Sequence, residues 1–199
     1  MKLFKALGGA ALLLIGQSAL ATPYSEIGDA DQLLPGQAVT AGTTSISGVI
    51  DANDADLYSF IWDGGDLTID TFGTGFDTQL FLFDSGGFGV QANDDSGGLQ
   101  SQLILTGLAA GTYYLGISAF NDDPNDNNGD AMFEFGASDP TSAGFLASWD
   151  NDSSGSGDYV INFSAATGGG TPPMPTPEPG ILLLLGMGLA GLGFARRRA

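Results

Sequence analysis

Asp150-x-Asp152-x-Ser154-Gly155-x-x-Asp158 sets oxygen-bearing side chains at positions one, three, five and nine of a glycine-containing loop. Short oxygen ligands at such spacing suit a hard cation, and Ca²⁺ is the cofactor they imply. A second stretch, Asp123-Pro-Asn125-Asp-Asn127-Asn-Gly-Asp-Ala-Met-Phe-Glu134, fills positions one, three, five and twelve of an EF-hand loop, with Asn128 where glycine belongs at six. Phe133 and Phe135 around Glu134 read instead as a strand, and Ser153-Ser-Gly-Ser-Gly157 also reads as a flexible loop. Two further clusters, Asp51/Asn53/Asp54/Asp56 and Asn93/Asp94/Asp95, have the composition of Asx turns as much as of metal loops. Trp149, in Phe145-Leu-Ala-Ser-Trp149, is the candidate ring for stacking on a sugar; Trp62, Tyr58 and Phe88 are alternatives, and all four read equally as core.

The chain has no Cys and no His. The usual general base, the usual nitrogen ligand, thiol nucleophiles, zinc thiolates and disulfides are thereby excluded. A hydrolase is left only a pair of carboxylates, and no spacing singles one out, so the expectation is a domain without catalysis.

Charge narrows the partners further. Lys2, Lys5, Arg196, Arg197 and Arg198 are the only bases, while 22 of the 23 acids lie between Thr22 and Gly170, where no base occurs; the exception is Glu178. Such a segment is repelled by nucleic acid and by anionic membrane surfaces. It calls for cations.

The two ends are built differently. Met1 to Ala21 has two lysines, a short apolar run and Ser18-Ala-Leu-Ala21, the pattern of a secretory signal peptide cut after Ala21. Residues 167–176 form a Gly/Pro linker, and Pro177-Glu178-Pro179 precedes an uncharged run from Ile181 to Ala195 that stops at Arg196-Arg197-Arg198. As a helix that run would be roughly 22 Å long, short of the hydrocarbon thickness and suited to temporary retention with the arginines on the cytoplasmic side. Pro-Glu-Pro, apolar helix and arginine cluster, in that order, resemble the PEP-CTERM sorting signal. That resemblance implies export by a Gram-negative bacterium that makes exopolysaccharide, and recognition of residues 177–199 by an integral membrane exosortase. The expected partners are therefore the export machinery, the membrane through the C-terminal helix, and exopolysaccharide or another surface glycan.

Between these ends, turn signals recur about every ten residues and no 3.6-residue period stands out. Residues 22–42 read as an irregular lead-in. Strands are expected at Thr43–Ile50, Asp56–Trp62, Asp66–Phe72 (an outer strand), Leu99–Thr106, Thr112–Ala119 and Asp158–Ala165, with a hairpin around Leu80–Phe83 and the glycine turn after it. Because Leu80, Phe81, Leu82 and Phe83 are apolar in succession, both faces of that strand must be covered. The fold class is all-β, a single antiparallel β-sandwich of jelly-roll type over residues 43–166, with an acidic insertion at 121–157. Gly48 to Phe60, Asp77 to Asp84, Gly111-Thr-Tyr-Tyr-Leu-Gly-Ile and Gly157-Asp-Tyr-Val-Ile resemble the bacterial pre-peptidase C-terminal domain. That resemblance implies a non-catalytic sandwich whose relatives bind matrix or polysaccharide. The expected function is a calcium-stabilised, non-catalytic surface or matrix protein; the alternatives are a carbohydrate-binding module using Trp149 and a carboxylate-pair polysaccharide hydrolase.

Overall fold

The computed structural model describes residues 22–134, 136–153 and 155–168. The signal segment, the sorting segment with its expected helix, and Ser154 lie outside the described residues. Among the described residues every element is a strand, and none is a helix long and apolar enough to cross a membrane.

The strands are Thr22–Ser25 (β1), Gln37–Ala38 (β2), Thr43–Ile50 (β3), Ala55–Trp62 (β4), Gly65–Asp70 (β5) and Thr78–Phe83 (β6). Gly89–Asn93 (β7), Gln102–Leu108 (β8), Gly111–Ala119 (β9), Pro124–Asp126 (β10), Leu146–Trp149 (β11) and Gly157–Phe163 (β12) follow. They form one sheet in the order β1-β3-β12-β5-β8, a second in the order β2-β4-β9-β6-β7, and the small pair β10-β11. From β3 to β9, successive strands alternate between the two sheets except at the β6–β7 hairpin.

Side-chain alternation explains the layering. Tyr58, Phe60 and Trp62 of β4 and Tyr113, Leu115 and Ile117 of β9 point inward, where they meet Ile46, Ile69, Leu103, Tyr159 and Ile161 of the other sheet. Phe60 lies edge-on to Phe163 at 5.5 Å between ring centres, which ties the sheets together across this core.

Two expectations are corrected. The lead-in is not wholly irregular, since β1 pairs with β3 and β2 with β4, and both pairings are parallel, so the sandwich is antiparallel only in its other pairs. Elements of four and two residues are too short to show alternation, and each merely satisfies the backbone of an edge. Gly65–Asp70 is also not an outer strand. It lies between β12 and β8, with Leu67 and Ile69 in the core and Thr68 and Asp70 half-buried on the other face.

The strand β6 is buried along its whole length. Leu80 and Leu82 enter the main core, whereas Phe81 and Phe83 point outward into a second cluster with Leu57, Met132, Phe133, Leu146 and Trp149. The acidic insertion thus folds back as the cover on the outer face of the second sheet. Two strands of three and four residues would not hold together by pairing alone; their apolar side chains, at roughly 1.5–3 kcal/mol for each one fully buried, fix them there.

Candidate metal centre

The described residues contain no Lys, Arg or His. Every one of their carboxylates must therefore be hydrated, hydrogen-bonded, protonated or bound to an external cation. Two groups of three carboxylates present oxygens that all lie within 4.8 Å of one another: Glu26/Asp29/Asp56 and Asp77/Asp94/Asp95. An ion roughly 2.4 Å from each oxygen keeps its ligands no more than about 4.8 Å apart, so each group is close enough to share one.

The first group is assembled from the lead-in and β4. Glu26 follows β1 and is held by two backbone amides, with Ala30 N–H donating to Oε1 (2.9 Å) and Val49 N–H to Oε2 (3.0 Å). Asp29 is exposed, and its pKa is raised first by the charge of Asp54 and then by burial. Asp56 is 0% exposed. The Tyr159 hydroxyl donates to its Oδ2 at 2.5 Å, and since Tyr159 has only one proton, the short bond between Tyr58 and Tyr159 must be donated by Tyr58. Oδ1 of Asp56 has no partner.

Burial is the main reason that the Asp56 carboxyl is pushed up to about 8, with the Tyr159 hydrogen bond opposing it and Glu26, Asp54 and Asp29 adding to it. Burial raises both tyrosines as well. Gly48 on β3 makes room for the arrangement, because a Cβ built there overlaps the Tyr159 hydroxyl and Glu26 Oε2. An ion beside Oδ1 would supply what the protein withholds from this carboxylate, and the all-oxygen donor set fits Ca²⁺.

The second group sits where β6 begins and β7 ends. Continuing the Leu80↔Asn93 register carries Asp77 to the level of Asp95 and Ser96. Burial, followed by the charges of Asp95, Asp77 and Asp123, pushes Asp94 up to about 6.

The residues singled out by loop spacing lie elsewhere. Asp123, Asn125 and Asp150 meet at the β10–β11 pair: Asn125 Nδ2 donates to Asp150 Oδ1, and Asp150 N–H to the Asp123 carbonyl (3.0 Å). Asp152 accepts from Asn121 Nδ2 at 3.2 Å. Asp158 is exposed on β12 in the other sheet, and Glu134 is exposed beyond Phe133. Asn127 accepts the Phe145 N–H at 3.3 Å. The EF-hand spacing passes over the residue that organises its loop. Asp126 Oδ1 accepts the amides of Asn128 (2.7 Å) and Asp130 (3.0 Å), and its Oδ2 accepts the Ser142 hydroxyl (2.5 Å). These bonds, that of Ser142 first, hold the Asp126 carboxyl down at about 2.

Trp149 is 4% exposed, edge-on to Phe81, with its indole N–H on the Gln32 carbonyl (2.8 Å). It offers no ring face to a sugar. Tyr58 and Trp62 are buried too, and the exposed aromatic pair is Phe88 with Phe145.

Three solved structures are similar over most of the chain. The pre-peptidase C-terminal domain of collagenase from Bacillus anthracis is 13% identical, covers 74% of this chain and 99% of its own, and has a TM-score of 0.37. Periplasmic inhibitors of g-type lysozyme from Aeromonas hydrophila (12% identical, covering 72% of this chain and 96% of their own, TM-score 0.35) and Salmonella Typhimurium (19%, 64% and 96%, TM-score 0.33) follow. No curated protein matches the sequence. The described β-sandwich is joined to a tail of known type: residues 175–198 match the PEP-CTERM protein-sorting motif, which marks the chain as an exported protein sorted by an exosortase.

Proposed function

We propose that this is a non-catalytic surface or matrix protein, a calcium-stabilised β-sandwich that associates with exopolysaccharide after exosortase has handled its tail. The observation that carries the reading is a fold with 22 carboxylates and no base between residues 22 and 168, in which a fully buried Asp56 oxygen lacks any partner. Glu26, Asp29 and Asp56 would hold the ion. Divalent cations then lower the self-repulsion of the domain and bridge its exposed acids, among them Asp152, Asp158 and Glu134, to anionic groups of the polymer. The C-terminal segment keeps the protein at the membrane until it is processed. Washing producing cells with chelator releases the protein from the cell-surface fraction, while sodium chloride of equal ionic strength does not. Equal release by both washes makes the association one of ordinary charge screening and overturns the calcium bridge.

A carbohydrate-binding module is favoured by a different observation. Phe88 and Phe145, 44% and 45% exposed, wall a groove of about 770 Å³ with Asn127, Asn128, Asp130 and Ser142. Rings beside amide and carboxylate groups are the equipment for a neutral sugar. On a glycan array, this reading expects one preferred glycan whose signal falls at least tenfold in Phe88→Ala and Phe145→Ala. No preference leaves the bridging role alone.

A further inference from the structure

A cavity of about 240 Å³ opens between the second sheet and the insertion, and its wall includes Gln79, Asn93, Asp94, Asp95, Asp123 and Glu134. Gln79 Nε2 donates to Asp123 Oδ1 at 2.9 Å and Asn93 Nδ2 to the Asp95 carbonyl at 3.3 Å. Several acceptor oxygens beside them are unmet. Gln79 is 6% exposed and its Oε1 has no partner; Oδ1 of Asp94 and Oδ1 of the adjoining Asp77 are also buried and unpartnered. The carboxylates of Asp77, Asp94 and Asp95 thus gather at one corner of the molecule, and Gln79 lines the same cavity as Asp94 and Asp95.

The backbone there is fixed in advance. Ser101 Oγ donates to the Asp94 carbonyl at 2.6 Å, Asn93 Oδ1 accepts the Gln102 amide at 2.7 Å, and Phe120 N–H binds the Asp77 carbonyl at 3.1 Å. A glutamine buried without a donor for its carbonyl is unusual in a folded protein, and an unmet acceptor beside like charges calls for a positive ligand.

We infer that the Asp77/Asp94/Asp95 corner, with Gln79 Oε1, is a second divalent-cation site, suited to Ca²⁺ and distinct from Glu26/Asp29/Asp56. The three carboxylates are close enough together to share one ion, and oxygen-only donors with an amide carbonyl among them are the ligand set of Ca²⁺. The site joins three segments: the start of β6, the loop after β7 and, through the Gln79–Asp123 hydrogen bond, the beginning of the insertion. Calcium there fastens the insertion to the sheet that it covers. Calcium availability outside the cell thus sets how firmly this flap is held.

Isothermal titration of the full chain in mild detergent, with CaCl₂ and separately with MgCl₂, tests the assignment. Asp94→Asn should lose one Ca²⁺ per chain relative to the parent, and Asp95→Ala should weaken the same ion at least tenfold. Glu26→Gln should leave that ion in place. Asp95 is exposed, so Asp95→Ala decides the matter if Asp94→Asn loses its far-ultraviolet circular dichroism. Unchanged stoichiometry and affinity in Asp95→Ala overturn the site, and so do equal affinities for Mg²⁺ and Ca²⁺, which indicate a diffuse counterion cloud. An inert Glu26→Gln speaks only against the first site, so the two readings fail separately.

Discussion

Trp149→Ala is expected to lower unfolding stability by about 3–5 kcal/mol, the range for removing a large aromatic side chain from a close-packed interior. The indole packs on Phe81 with 5.5 Å between ring centres, and the absence of a side chain at Gly116 leaves it room, since a Cβ there would stand 3.0 Å from the far edge of the ring. Alanine leaves a cavity between β9 and the insertion and strips the Gln32 carbonyl of its indole donor. Urea unfolding followed by far-ultraviolet circular dichroism gives the number, and limited proteolysis shows where it acts. Cleavage should begin within residues 121–157, because the apolar side chains that seat that segment on the sheet are Met132, Phe133, Leu146 and Trp149. A loss under about 1 kcal/mol, with the insertion still protected, would mean that Trp149 is not what holds the cover down.

Burial of this residue also shows what the sequence discloses and what it conceals. Four successive apolar residues at Leu80–Phe83 require cover on both faces, and both faces are covered. The identity of the outer cover is hidden, because Phe81 meets Phe133 and Trp149 across more than fifty residues of chain and no local period records such a meeting. Trp149 stands among polar neighbours in the sequence and yet is core in space. From Thr43 to Phe163 the strands of the two large sheets are legible because Tyr58/Phe60/Trp62 and Tyr159/Ile161/Phe163 alternate cleanly with residues of the other face, whereas β10 and β11 are too short to show a period. The jelly-roll expectation rests on the same rhythm, and two packed sheets are what it yields.

Candidate metal ligands follow a different rule. Loop spacing finds candidates that lie in one turn, whereas the carboxylates of Glu26, Asp29 and Asp56 come from two segments that only the fold brings together. One clue was available. Asp56 is in phase with Tyr58, Phe60 and Trp62, so a carboxylate occupies the core-facing register of a strand, and such a group must be protonated, hydrogen-bonded or bound to a cation. In the sequence Asp94 and Asp95 stand out only with Asn93 as an acidic cluster that reads equally as an Asx turn, and Asp77 carries no signal, because the approach of the three depends on the register of the β6–β7 hairpin.

Tyr159→Phe and Glu26→Gln should separate the hydrogen-bonded part of this centre from its cation. Tyr159→Phe removes the hydroxyl that accepts from Tyr58 and donates to Asp56, leaving two buried polar groups unmet. At about 1–3 kcal/mol for each, the loss is on the order of 2–6 kcal/mol, and it should be present both in calcium and in chelator. Glu26→Gln preserves shape and keeps an oxygen on the Val49 or Ala30 amide, but it withdraws one charge from the ion. The amide hydrogen bond it gives up should cost the same with and without calcium, and the further loss should appear only in calcium. For the parent protein, free Ca²⁺ at a hundred times the dissociation constant adds about 2.7 kcal/mol per site, so chelator at matched ionic strength should lower its melting temperature by several degrees. Glu26→Gln should shrink that difference, whereas Tyr159→Phe should shift both melting curves downward. A parent protein that melts at the same temperature with and without calcium would leave the orphaned Asp56 oxygen to protonation alone, and the buried carboxyl would then be a polar anchor of the fold with no ion to hold.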